Sequence, residues 1–278
     1  KNRHVLGEAV RHLILIILAL YTLAPLLFLF VNAFKSNNEI IASPVALPEH
    51  WTLQYIKTAM EAINFGKALG LTFIITFFSI LLLVIVSSFA AWAMVRSKTI
   101  LSNIVFLCFT AAMLVPFQSL MYPLLSVFEK MGLKNVQGLI LMYGGFGLSM
   151  SVFLYHGFIK SVPASLEEAA VLDGANLFQM FFKVVFPLLK GTTVTVIVLN
   201  GMWIWNDYLL PFLVIGNKTG SKTLTLELYF AKLTSGQYGN PWELIFPAVF
   251  VTIIPIIILY IFLQKYIVAG VSEGAVKM

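Results

Sequence analysis

The chain of 278 residues is 60% hydrophobic and only 11% charged, against roughly 45–50% and about 25% in an ordinary globular domain. With a mean hydropathy of +0.93 and long stretches without Asp, Glu, Lys or Arg, the composition excludes a water-soluble protein. The net charge of +6 comes from 18 scattered basic side chains; no run of them suits nucleic acid, and the lone Cys108 excludes a disulfide framework or a cysteine-based metal centre.

A helix crossing the hydrocarbon core takes about 20 mostly apolar residues. In chain order such stretches run over 13–34, 68–95, 99–128, 135–159, 191–216 and 244–264, the fifth interrupted by Asp207. Their continuous apolar character excludes a barrel, whose strands alternate every second residue. The sequence therefore predicts an all-α polytopic membrane protein with six transmembrane helices in a single domain over 1–278. The first stretch is expected to be a retained anchor, not a cleaved signal. Pro25, Pro116, Pro123, Pro211, Pro247 and Pro255 lie in or beside the spans and predict bent helices. Lys1, Arg3 and Arg11 precede the first span, and ten of the 18 basic residues fall on their side against eight opposite. Both termini are expected in the cytoplasm on this count.

The segment 160–190 is hydrophilic and is expected on the cytoplasmic side. Ser165 and Glu168 have capping-box spacing after Pro163, so a helix is predicted to begin there, with Leu166, Ala169 and Ala170 on one face. Gly174 is placed to end it in the left-handed conformation. A second short helix, from Asn176 to Phe186, is closed by Pro187. A short helix with a small-residue face suits a groove on another protein. It could also lie on a lipid surface, although Glu167 and Glu168 sit poorly against an anionic leaflet.

These residues resemble the EAA loop of permease subunits from binding-protein-dependent ABC importers. Glu168-Ala169-Ala170, Gly174 and Pro187 stand at its spacing, with Val184 and Phe186 where the pattern has Ile and Leu. The run Val162-Pro-x-x-Leu-Glu-Glu-Ala-Ala-x-x-Asp173-Gly174-Ala175 looks like the carbohydrate branch, and Trp205-Asn206-Asp207-Tyr208 resembles a motif of the fifth span in sugar permeases. The tail from Gln264 is similar to that of the maltose-type subunit with six spans. The resemblance implies a type I ABC importer permease architecture in a prokaryotic inner membrane. It further implies a second permease subunit, two ATP-binding subunits that hold ATP and Mg, an extracytoplasmic solute-binding protein, and a carbohydrate substrate. By motif position Glu168 would pair with an Arg of the ATP-binding subunit, and Glu167, Glu168, Ala169, Ala170, Asp173, Gly174, Ala175 and Pro187 would form the coupling loop. Gly236, Gln237, Tyr238, Gly239 and Asn240 fall where the maltose-type subunit reaches into its binding protein. Ser272, Glu273 and Gly274 fall where its tail enters between the ATP-binding subunits.

No phosphate-cradling G-x-x-x-x-G-K-[ST] loop is present, because Ser221 replaces the second glycine in 216–223. Energy must come from another chain, and no cofactor is expected in this one. His4, His12, His50 and His156 lack metal-ligand spacing, and there is no nucleophile elbow, so the chain is not expected to be an enzyme. Asp207 is expected either to line a translocation path with Trp203, Trp205 and Asn206 or to sit at the interface within an aromatic belt. Gln118 and Tyr122 are further path candidates. A gradient-driven carrier remains the alternative, although Asp207 is the only ionisable group offered for a relay.

Overall fold

The structure is a computed structural model that describes residues 2–216, 220, 222–235 and 240–275. Every regular element among them is helical. In chain order these are α1 (Asn2–Asn32), α2 (Asn37–Ala42), α3 (Gln54–Ala62), α4 (Phe65–Ser97), α5 (Ile100–Ala112), α6 (Phe117–Lys130), α7 (Val136–Ile159), α8 (Ser165–Leu172) and α9 (Leu177–Gln179). A π-helical turn (Met180–Val185) leads into α10 (Phe186–Leu188), followed by α11 (Lys190–Asn206), α12 (Leu209–Val214), α13 (Leu224–Ser235) and α14 (Trp242–Ala275).

Four described helices are long and apolar enough to cross a membrane, and the number rises to six if each of two bent pairs counts as one span. The third apolar stretch, expected as one helix over 99–128, is instead α5 and α6 meeting at 106°. Pro116 causes the break: it has no amide hydrogen, sits at ψ 140° before α6, and disfavours helical geometry in the residue before it. The fifth stretch also differs from expectation. α11 ends at Asn206, Asp207 is extended at ψ 132°, and 209–214 form a separate short helix instead of continuing the span.

The chain divides into two compact units, Lys1–Ala68 with Leu226–Pro255, and Leu69–Thr225 with Ile256–Met278. In the first, Ala59, Ile63, Ala248 and Val251 form the core, bordered by an aromatic cluster in which Phe30 meets Trp51 and Phe250. Ser36 and Glu39 form a capping box on α2. The Ser36 and Glu49 amides and the Ser36 hydroxyl hold the Glu39 carboxyl below its ordinary range, since hydrogen bonds to the charged form favour it. The Glu243 carboxylate accepts from the Asn37 amide at 3.0 Å, which ties the start of α14 to α2.

In the second unit α4, α7 and α11 close on glycines. A Cβ at Gly144 would meet Leu82, one at Gly147 would meet Asn200 Oδ1 at 2.5 Å and Leu83 Cδ1 at 2.7 Å, and one at Gly201 would meet Ile80. Where apolar burial is weak as a driving force, small residues let helices approach and polar side chains join them. Tyr143 hydroxyl donates to Asp207 Oδ2 at 2.9 Å, Asn200 Nδ2 to Ser151 Oγ at 3.1 Å, and Tyr155 hydroxyl to Thr193 Oγ1 at 2.9 Å. Numbers rising along α7 meet numbers falling along α11, so the two run antiparallel. Gly147→Ala is expected to destabilise the protein by about 1–3 kcal/mol through overpacking, read as a lower thermal unfolding midpoint in detergent. Gly145→Ala, whose Cβ meets nothing within 4 Å, should leave that midpoint unchanged.

Candidate functional site: the loop between α7 and α11

Ser165 does not cap α8. Ala164 is already helical at φ −64° and ψ −26° and occupies the cap position without a side-chain hydrogen bond. The turn thus starts one residue earlier than the capping-box pattern predicts, leaving Ser165 inside the helix. The predicted stop is seen at Gly174, whose φ of +82° is the left-handed conformation that glycine adopts without Cβ strain. The Ala175 amide donates to Ala170 O at 2.9 Å and the Gly174 amide to Val171 O at 3.0 Å, the paired bonds of a Schellman stop. A capping box does occur in the loop, at Asn176 and Gln179. It starts the second helical segment, which widens to a π turn before Pro187, where the Phe186 amide reaches Phe181 O. The widening accommodates a proline that cannot donate and would crowd the carbonyl four residues back.

The two adjacent glutamates differ in their surroundings. Glu168 is exposed, whereas Glu167 is 7% exposed and is held by α4. Arg96 Nη2 lies 2.7 Å from Glu167 Oε1 and Arg96 Nε donates to the same oxygen at 2.8 Å. Trp92 Nε1 donates to Oε2 at 3.0 Å, and Arg96 also donates to Val162 O at 3.0 Å. Trp92 holds the second segment as well, its ring 5.2 Å from that of Phe181. Phe181, Val185 and Leu189 are fully buried with Tyr155 and Ile159 of α7. Neither Trp92 nor Arg96 stands out in the sequence; the only signal was a basic residue at an apolar stretch's end.

Ala170 is buried beside Glu167, one turn on, while Leu166 and Ala169 of the expected small-residue face are exposed. Leu172 is 88% exposed, Phe178 65% and Leu177 54%; Asp173, Gly174 and Pro187 are also exposed. The loop therefore combines an inner side locked to the helices with an outer side left uncovered among the described residues.

The second group of candidate residues is divided by the helix break. Asp207 Oδ1 accepts from the Leu209 amide at 3.0 Å and Oδ2 from Tyr143, while Thr225 donates to Asp207 O at 2.7 Å. Trp203 meets the Tyr143 ring edge-on at 5.5 Å, so Trp203 and Asp207 share Tyr143, a residue not singled out in the sequence. Trp205 is buried at 7%, and its Nε1 has no hydrogen-bond partner among the described residues. Asn206 is exposed and donates to Met202 O. Gln118 and Tyr122 share an exposed side of α6, and among the described residues no hydrogen bond or ring contact joins them to Asp207. Asn240 is exposed, and Gly236, Gln237, Tyr238 and Gly239 lie outside the described residues. Ser272, Glu273 and Gly274 lie in the backbone of α14.

The long apolar helices, with a polar loop anchored to them, have the character of an integral membrane protein. Residues 83–273 match the family described as "Binding-protein-dependent transport system inner membrane component", and the chain belongs to that family. It is similar to the probable starch degradation products transport system permease protein of Thermoanaerobacterium thermosulfurigenes, with 43% identity over 262 residues that cover 94% of each chain. It is 35% identical to the multiple sugar-binding transport system permease protein of Streptococcus mutans over 96% of both. It is 33% identical to the melibiose/raffinose/stachyose import permease protein of Bacillus subtilis over 91% of both. A bacterial ABC transporter involved in alginate import shares the fold, with a TM-score of 0.78 at 23% identity over 96% of this chain and 98% of that one. The chain is thus a multi-pass inner membrane permease subunit without an ATP-binding motif of its own. Family membership overturns the gradient-driven alternative.

Glu167→Leu leaves Arg96 and the Trp92 indole facing an apolar side chain, and removing one member of a buried, hydrogen-bonded pair costs about 3 kcal/mol. The expected readout is faster amide hydrogen exchange across 165–175, with exchange in the interior of α7 unchanged.

Proposed function

We propose that the chain is one of two permease subunits in an ATP-driven importer for a sugar or oligosaccharide. An extracytoplasmic solute-binding protein delivers the substrate, and two ATP-binding subunits, carrying ATP and Mg, supply the energy. The observation that carries this reading is the two-sided loop. Glu167 is buried and salt-bridged while Glu168, Leu172 and Phe178 are exposed on a segment that no other described residues cover. A solvated loop needs no such internal lock, whereas a coupling element must move as one body with the helices behind it. Exposed apolar side chains beside a carboxylate are also the composition of a docking face that recognises a basic, partly apolar groove.

In this reading Glu168 is the residue that meets an arginine of the ATP-binding subunit, and Gly174 sets the angle between α8 and the segment that follows. Sugars as cargo are supported by the relatives that carry starch degradation products, multiple sugars or melibiose and related sugars. Trp203, Tyr143 and Asp207 offer ring faces, a hydroxyl and a carboxylate, a chemistry that suits sugar hydroxyls along a path. Trp205 and Asn206, and Gln118 and Tyr122 on α6, are assigned to the same path. Gly236 to Asn240 are proposed to touch the binding protein, and Ser272, Glu273 and Gly274 the ATP-binding subunits. ATP binding would close those subunits, and the loop would carry the movement to α4, α7 and α11.

The test is co-purification of the tagged chain with its ATP-binding subunit from native membranes in mild detergent. Glu168→Lys is expected to reduce recovery of that subunit at least tenfold while membrane insertion is unchanged. At Gly174 no neighbour obstructs a side chain, so the obstacle is the positive φ. Gly174→Val should therefore lose the subunit, and Gly174→Asn, which tolerates left-handed backbone, should retain most of it. Recovery of no ATP-binding protein with the wild type, or of equal amounts with Glu168→Lys, would refute the coupling assignment.

A further inference from the structure

A cavity of about 590 Å3 opens where α4 ends, α5 begins and the strand of chain after α7 leads into α8. Its charged lining is one-sided. Arg96, Lys98 and Lys160 contribute to the wall with His156 and Asn103, and among the described residues no carboxylate lines it. Arg96 is committed to Glu167, but no ion pair holds Lys98 or Lys160 among the described residues, and the Lys160 ammonium stands 5.9 Å from the centre of the Phe106 ring.

Lys98 carries a second, independent signal. Its φ of +49° is the left-handed region, where a side chain with a Cβ is disfavoured and a glycine would be cheaper. The turn between α4 and α5 does not need a lysine for its own sake, so the strain points to a use for the ammonium group. The wall is also part apolar, through Met94, Val95 and Val162. Beside it α5 presents Ile100, Leu101, Ile104 and Leu107 as exposed side chains. A cationic recess bordered by an apolar helix flank fits a ligand with a phosphate at one end and hydrocarbon at the other.

We propose that this cavity binds a phosphate-bearing anion, the phosphodiester headgroup of an anionic phospholipid, with its acyl chains along α5. Lys98 and Lys160 are the principal charges, and Arg96 contributes its remaining face. Basic recesses between helices at a membrane surface have the charge and shape for such headgroups. Pro163 and Ala164 line the same cavity, so an occupant touches the strap that begins α8 and steadies the loop that Arg96 fixes from the other side. The proposal rests on the coupling reading only for the cavity's place at the cytoplasmic surface.

The experiment uses the full chain reconstituted in nanodiscs of phosphatidylcholine alone, with phosphatidylglycerol added, or with inorganic phosphate added. Bound lipid is counted by native mass spectrometry and thermal unfolding is followed alongside. Wild type is expected to retain phosphatidylglycerol in preference to phosphatidylcholine and to unfold at a higher temperature with it. The double variant Lys98→Gly with Lys160→Gln should bind it about 30-fold more weakly, from about 1 kcal/mol per lysine at 1.4 kcal/mol per tenfold. Lys98→Gly relieves the left-handed strain, so the variant is expected to fold. Lys57→Gln with Lys67→Gln removes the same charge elsewhere and should retain the lipid. If inorganic phosphate stabilises wild type as well as the lipid does, and the double variant abolishes this, the phosphate site stands with a soluble source. Equal retention by wild type and the double variant, or equal loss in the Lys57 and Lys67 control, overturns the site. Both sides of a nanodisc present the lipid and no transport is measured, so failure here leaves the coupling reading to its own test.

Discussion

Glu167 is nearly buried, and a carboxylate taken from water without compensation is costly enough to neutralise itself or unfold its surroundings. Here three donors surround it: two from the Arg96 guanidinium and the Trp92 indole N–H. Each partner depends on the others, because losing one leaves a desolvated charge or donor behind. The beginning of α8 and the end of α4 are consequently one piece of structure. Trp92 extends the constraint, since its ring packs on Phe181 and Phe181 belongs to the loop's second segment. A force applied to the outer side of the loop has little slack to take up before it reaches α4 and α7, because close-packed interfaces shift between arrangements more readily than they stretch.

α7 carries the constraint along its length. At one end Tyr155 and Ile159 pack against the loop, in the middle Ser151 and Gly147 receive Asn200, and at the other end Tyr143 holds Asp207. Gly147 lets α7 approach α4 and α11 closely, and the polar contacts between α7 and the residues of and after α11 fix a register that the glycine alone would leave free. The break at Asp207 is thereby joined to the same helix that supports the loop between α7 and α11. A substrate group contacting Tyr143, Trp203 or Asp207 and a subunit docked at α8 would both act on α7, which is the physical connection that an importer needs between path and motor.

Much of this was legible in the sequence, and what was not has identifiable causes. Apolar runs revealed the membrane and most helices because period and length are local properties. Gly174 was legible because a helix stop with positive φ has few residue choices. The two glutamates were not separable, since adjacent residues with identical chemistry point about 100° apart on a helix, and only the tertiary partner decides which is buried. Pro163 and Ala164 shifted the start of α8 by one residue, and Ser165 lost the cap that its spacing to Glu168 suggested. The 106° bend between α5 and α6 was expected only as a kink, because proline indicates where a helix is weak and its surroundings set the angle. Arg96 and Trp92 were not singled out in the sequence, because the partner that joins them, Glu167, lies 71 positions after Arg96.

The broken helices carry one more physical consequence. Irregular backbone is tolerated at hydrocarbon depth only beside protein or water, because lipid tails offer no hydrogen bonds. At Asp207 the requirement is met within the chain: the carboxylate takes the Leu209 amide and Thr225 takes the Asp207 carbonyl. At the bend between α5 and α6 it is met only in part. The amides of Met113, Leu114 and Val115 close tight turns onto Thr110, Ala111 and Ala112, but Leu114 is 85% exposed and Met113 and Val115 are both over 40% exposed. Among the described residues nothing covers the turn, and at hydrocarbon depth its open side would have to face water or another protein chain. α1 is uncovered in the opposite sense: its apolar side chains from Leu13 to Leu27 are largely exposed and call for lipid or an apolar partner. A turn that needs polar surroundings and a helix that needs apolar ones leave different parts of one subunit uncovered, as expected of a component built to be completed by lipid and by partner chains.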